Sequence, residues 1–141
     1  MVYRLVQLCV AACTLAIPLV AGADELFDEK AAKEISQALD ANACATGCEA
    51  KISGTPAKIE LVDINFDKKG EYLVTLTENC GSAGCPVALF MRQGSRWVKI
   101  AEGLGLRILK SKTKGFSDLM ANHGKLSWNG QRYDIVIRPS R

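Results

Sequence analysis

Six cysteines are the residues of this 141-residue sequence whose chemistry depends most on where they fall. Cys9 and Cys13 lie in an uncharged run, Leu5 to Gly22, that follows Arg4 and ends in Ala21-Gly-Ala23, the small residues at which a signal peptidase cuts. Residues 1–23 therefore read as a signal peptide, and the mature chain, 24–141, keeps Cys44, Cys48, Cys80 and Cys85. An even count in a small exported chain reads as a disulfide framework. The spacings C-x3-C and C-x4-C miss the C-x2-C redox motif, and an oxidising compartment disfavours a four-thiolate zinc site. Three pairings are open. Local pairing, Cys44–Cys48 and Cys80–Cys85, is preferred because each bond closes a short loop against little chain entropy; a crossed pairing would staple the first helix to the sheet. Two other readings of the leader compete. An uncleaved anchor is opposed by Gln7 and Pro18, and a lipobox at Val10-Ala-Ala-Cys13 by the apolar residues that follow it.

Hydrolytic chemistry needs a nucleophile and a base that can meet. The single histidine, His123, stands in the turn-like Ala-Asn-His-Gly124, and no G-x-S-x-G, H-E-x-x-H or phosphate-cradling glycine loop occurs. Asp63 and Asp118 are the two acids set among apolar neighbours, where burial would raise a carboxyl toward general-acid use; the bland account has each capping a turn. Lys110, Lys112 and Lys114 alternate and would share one face of a strand. They read either as a contact surface for an acidic partner or as lysines that protect a sheet edge.

Residues 24–66 carry nine acids against four lysines, a net of −5, whereas residues 67–141 carry thirteen basic residues against six acids, a net of +7. The balance of +2 supplies no global field for nucleic acid. A basic patch in the second half is still allowed.

The 118 mature residues make one domain. Apolar residues at 26, 27, 31, 35, 38 and 39 predict an amphipathic helix over 24–43, with Asp24 at its N-cap. Cys44 to Pro56 reads as loop. From 57 to 138 the period becomes two. Ile59–Phe66 and Glu71–Thr77 form a hairpin with a phase switch at Leu61/Val62 that calls for a bulge or a strand buried on both faces. Val87–Arg92 and Arg96–Ala101 form another, Leu104–Ser111 and Phe116–Ala121 are further strands, and Asn129-Gly130 predicts a two-residue turn pairing Trp128 with Gln131 and Leu126 with Tyr133. That register places Leu126, Trp128, Tyr133, Ile135 and Ile137 on one face. The expected fold is α+β and mainly β: the helix followed by an antiparallel meander of about seven strands, curled into a half-barrel or barrel-like sheet.

Two resemblances add to this. Cys80-Gly-Ser-Ala-Gly-Cys-Pro86, Gly94-Ser-Arg-Trp97, Gly115-Phe-Ser-Asp-Leu119 and Trp128-Asn-Gly-Gln-Arg-Tyr133 resemble a pattern of small secreted proteins of Gram-negative bacteria, which implies a disulfide-closed loop on a β-meander and no particular activity. Leu109-Lys-Ser-Lys-Thr-Lys-Gly115 and Asn129-Gly-Gln-Arg-Tyr133 are similar to the Y-x-x-x-T-K-G and S-G-x-x-Y motifs of C-type lysozyme inhibitors. Leucine replaces tyrosine, asparagine replaces serine, and the order is reversed. The resemblance implies that Lys114 and Asn129 occupy the positions of the lysine and serine that enter the lysozyme cleft.

The expectation is a non-enzymatic periplasmic or secreted protein that binds a protein partner of the envelope, in its sharpest form an inhibitor of a wall-degrading enzyme, through Lys110, Lys112, Lys114 and Asn129. It includes no cofactor, metal or nucleic acid and no stable membrane insertion after cleavage. The rivals are a small hydrolase using Asp63 and Asp118, a thiol–disulfide protein using Cys80 and Cys85, and a subunit of an envelope or secretion assembly.

Overall fold

The computed structural model describes residues 27–41 and 48–136. The helix α1, Glu29–Ala41, begins one turn later than the sequence pattern predicts, and its N-cap is Asp28, whose Oδ1 accepts from Ala31 N at 2.7 Å. What fixes this start is a clasp from the sheet: Phe27 N donates to Glu102 Oε2 (3.2 Å), while Lys99 Nζ donates to Phe27 O (2.7 Å). Asp24 lies outside the described residues.

Among the described residues nine strands follow, all joined antiparallel, where the sequence predicts about seven. The first sheet runs in chain order through β1 (Cys48–Ile52), β2 (Thr55–Val62), β3 (Glu71–Leu76), β4 (Pro86–Gln93) and β5 (Arg96–Leu104). The second contains β6 (Arg107–Thr113), β7 (Phe116–Ala121), β8 (Gly124–Trp128) and β9 (Tyr133–Ile135). The meander thus breaks into two sheets at Gly105, and no closed barrel forms among the described residues. β1 lies inside the stretch that reads as loop; Ser53 and Gly54, at φ 50° and 84°, supply the tight turn that folds it onto β2.

Helix, first sheet and second sheet stack in that order, so β4 is buried on both sides. Ala88 and Phe90 pack with Phe27, Ile35 and Leu39 of the helical layer, whereas Val87 and Leu89 pack with Leu119, Leu126 and Trp128 of the second sheet. This is why Val87–Met91 is apolar without alternation. β2 and β3 pair in unbroken register from Ala57↔Leu76 to Val62↔Glu71, so no bulge marks Leu61/Val62. The irregularities fall instead at Leu89/Phe90 in the β4–β5 pair and between Ile108 and Lys112 in the β6–β7 pair.

The last hairpin is also shifted. Trp128 pairs with Tyr133 and Leu126 with Ile135, leaving Asn129–Arg132 as a four-residue turn. Asn129 Oδ1 accepts from both Gln131 N (2.7 Å) and Arg132 N (2.9 Å), and this side-chain cap favours the longer turn over the two-residue one. Because the slip is by two, Leu126, Trp128 and Tyr133 still face the core; Ile135, on the edge, is half exposed, and Ile137 lies outside the described residues.

Cys80 and Cys85 are disulfide-bonded (S–S 2.02 Å), and the loop they close seats on the corner between the sheets. Gly105 N donates to Cys85 O at 2.9 Å. A Cβ on Gly84 would lie 2.7 Å from Gly105 Cα, and both glycines have positive φ, so the contact requires glycine on each side. Cys48 is likewise disulfide-bonded, and its expected partner Cys44 lies outside the described residues.

Candidate partner-binding face

The second sheet carries a cluster of polar side chains around Asp118. Leu119 and Leu126 pair and point inward, so the alternate residues Asp118, Lys125 and Ser127 lie on the outward face. Asp118 is nevertheless 1% exposed. The β6 irregularity places three residues, 109–111, opposite it, and the carboxylate sits beneath them. Oδ1 accepts from Ser127 Oγ at 2.8 Å, and Oδ2 faces the Lys125 ammonium at 2.8 Å. Burial is the largest single effect on this carboxyl and pushes its pKa up, but Lys125, Ser111, Thr113 and Ser127 together outweigh it and hold the group well below the usual carboxylate range. The shift runs opposite to the rise that burial alone would give, because the strand that covers Asp118 brings donors with it. Held ionised at neutral pH, this covered carboxylate links β6 and β8.

Asp63, expected in a strand, stands in the exposed loop between β2 and β3. Its Oδ1 accepts from Phe66 N (2.7 Å) and its Oδ2 from Lys68 N (3.2 Å). It caps a turn, and the structure does not join it to Asp118. Asn65 and Asp67 in the same loop also turn their oxygens to backbone N–H groups, those of Asp67 and Lys69. Among the described residues no three His, Cys, Asp or Glu side chains are arranged to hold a metal ion.

The lysines do not form the single row that alternation predicts. Lys110 projects from the irregular part of β6, and Lys114 occupies the β6–β7 turn at φ 51°, followed by Gly115 at 85°. There Lys114 Nζ donates to Asn129 O at 2.8 Å, which brings two of the four predicted contact residues together at adjoining hairpin tips. Lys112 turns the other way and holds its ammonium 3.3 Å from the ring centroid of Phe66. Phe66 has φ 63° and is 54% exposed. A left-handed backbone costs a non-glycine residue about 1–2 kcal/mol. An exposed cation–π contact returns only about 0.5–1 kcal/mol.

Two features escape sequence reading. Glu71 begins β3 yet is 3% exposed, at the seam between the sheets, with Oε2 accepting from Ile64 N at 3.0 Å. Burial, the largest effect, pushes its carboxyl up to about 7; the Ile64 bond opposes this, and the Asp67 and Asp63 carboxylates add to it. Ile64 O in turn accepts from Ser117 N (2.8 Å), and Ser117 O accepts from the Tyr133 hydroxyl (2.6 Å), so one chain of bonds crosses from sheet to sheet. Burial above all, with Asp118 and Glu71 nearby, raises the Tyr133 phenol well beyond its ordinary range. The second feature is an open groove of about 540 Å³ where the β5 edge meets β8 and β9, lined by Lys99, Glu102, His123, Arg132, Tyr133 and Asp134 among others. His123 Nδ1 lies 3.0 Å from Asn122 Oδ1, and the imidazole rests against Gly103, where a Cβ would meet Cε1 at 2.8 Å. A glycine opposite a lone histidine is the only sequence signal of that contact.

Compared with family models, with curated proteins and with solved structures, the chain matches none. No helix among the described residues is long and apolar enough to cross a membrane.

Proposed function

We propose that this chain is a non-enzymatic, exported binding protein that engages a wall-degrading enzyme of the envelope through the paired hairpin tips at Lys114 and Asn129. The observation that supports the reading is the 2.8 Å bond from Lys114 Nζ to Asn129 O, which joins the two segments similar to lysozyme-inhibitor motifs through residues fifteen positions apart. A lysine at the apex of a tight hairpin is suited to entering a cleft lined by carboxylates, as the paired acids of a glycosidase provide. The Asp118–Lys125 pair beneath the hairpin gives the tip a fixed base.

The test is inhibition of wall lysis by a C-type lysozyme. Lys114→Asn removes the ammonium while suiting the left-handed backbone at φ 51°, so the turn survives the change. The variant is expected to inhibit at least tenfold more weakly than wild type, consistent with loss of a charge-assisted contact. Equal inhibition by both chains would remove Lys114 from the contact, and a wild-type chain that leaves lysis untouched would remove the reading itself.

A further inference from the structure

Phe66 is poorly placed for the fold alone. Its φ of 63° is one that asparagine or glycine adopts more readily, and its ring is more than half exposed. Lys68, two residues on, has φ 65° and is exposed as well. A bulky apolar side chain kept in a strained, solvated position points to a use outside the folded core.

The surroundings of the ring indicate that use. Lys68 and Lys69 follow it in the loop, Lys112 lies on its face, and Lys110, Lys114 and Arg107 continue along β6 and its turn; all are exposed. None of these six cations is ion-paired to a carboxylate among the described residues. The loop acids Asp63 and Asp67 direct oxygens to the N–H groups of Phe66, Lys68 and Lys69 but keep their charge, so they offset two of the six cations and leave a surplus of four, carried mainly by β6 and its turn. Solvent therefore meets one aromatic ring inside a field of lysines. Protein–protein interfaces are depleted in lysine and favour arginine, tyrosine and tryptophan, whereas flexible ammonium groups around a single inserting apolar side chain match a sheet of phosphate headgroups.

We propose that this face docks the mature chain peripherally on an anionic phospholipid bilayer, with Phe66 entering the headgroup region and Lys68, Lys69, Lys110 and Lys112 lying on the phosphates. This goes beyond the inhibitor reading and does not depend on it: the contact needs no acidic cleft, and it would hold the chain at the envelope surface.

The test uses residues 24–141, which hold every core residue found among the described residues, and a cooperative urea unfolding transition is required of this chain before vesicles are added. Co-sedimentation is measured with vesicles of equal phosphatidylglycerol and phosphatidylcholine and with pure phosphatidylcholine, at low salt. Wild type is expected on the anionic vesicles only, with release in 0.5 M salt (about a 4 Å Debye length). Lys68→Gln with Lys69→Gln should weaken binding roughly fivefold per lysine. Phe66→Asn should weaken it roughly tenfold, with a melting temperature no lower than wild type because asparagine suits the backbone. Phe66→Trp should shift its emission to the blue on anionic vesicles alone. No binding by wild type, equal binding to both vesicles, or full binding by Phe66→Asn would each overturn the proposal. Capture of an acidic protein through Phe66 in the absence of vesicle binding would overturn it in favour of a protein partner.

Discussion

Glu71 and Asp118 are buried to nearly the same degree, at 3% and 1% exposure, yet their carboxyls move in opposite directions. Glu71 lies at the seam where the sheets meet, with one backbone donor and two acidic neighbours in the loop that precedes it. Asp118 lies on the outward face of the second sheet beneath a strand that brings two hydroxyls, with Ser127 and the Lys125 ammonium beside it. Depth alone thus says little about the charge of a buried acid. The number and kind of donors within reach decide it.

The comparison can be broken directly at Asp118. Asp118→Ala leaves the Lys125 ammonium without its carboxylate and the Ser127 hydroxyl without its acceptor. Removing one partner of a buried pair costs about 3–5 kcal/mol; since the Lys125 side chain is one-third exposed, about 2–3 kcal/mol is expected, read from urea unfolding. A loss below 1 kcal/mol would mean that the carboxylate is not anchoring the hairpins.

The second expected effect has the opposite sign of pH dependence. Glu71 holds its proton up to about 7 in the fold against 4.5 ordinarily. Between these values the native state binds more protons than the unfolded chain, so this contribution is complete below pH 4.5 and disappears as pH rises through 7, a fall of roughly 3 kcal/mol. Asp118, with its lowered pKa, contributes above the ordinary carboxylate range and loses that contribution on acidification. Glu71→Gln keeps an acceptor for Ile64 N and should flatten the decline between pH 5 and 8; unfolding midpoints across that window measure it. An unchanged slope would place the titration elsewhere.

The smallest effect sharpens the link between the two sites. Tyr133→Phe removes the donor to Ser117 O and should cost about 1–2 kcal/mol, the penalty of a buried acceptor left unpaired. It should leave the pH slope of wild type in place, because the phenol does not titrate in that range. A changed slope would show that the bond chain through Ser117 and Ile64 transmits to Glu71.

Much of the fold was legible because local chemistry specified it. The amphipathic spacing of α1, the alternation in β3 and β8, and the short cysteine spacing that closes on itself at Cys80–Cys85 all depend on neighbours in sequence. The misread parts share a different origin. β1 carries glycine and proline around it and is a strand because β2 pairs with it; the turn at Asn129 is set by a side chain that caps four residues rather than two. The lysine row was legible as composition, but the irregularity in β6 and the left-handed turn at Lys114 sent its members to different neighbours.

By itself, then, the sequence determined the predominance of antiparallel strands, the leading helix, a preference for local pairing of the cysteines and the residues available for a basic surface, since each follows from periodicity, short loop closure or residue type. Only the tertiary structure decided that the meander divides into two sheets, that Asp118 is ionised and Glu71 protonated toward neutral pH, and that Lys114 meets Asn129 while Lys112 meets Phe66. Those outcomes depend on which strand covers which side chain. Such proximity is created by packing between segments far apart in the chain, and no local pattern encodes it.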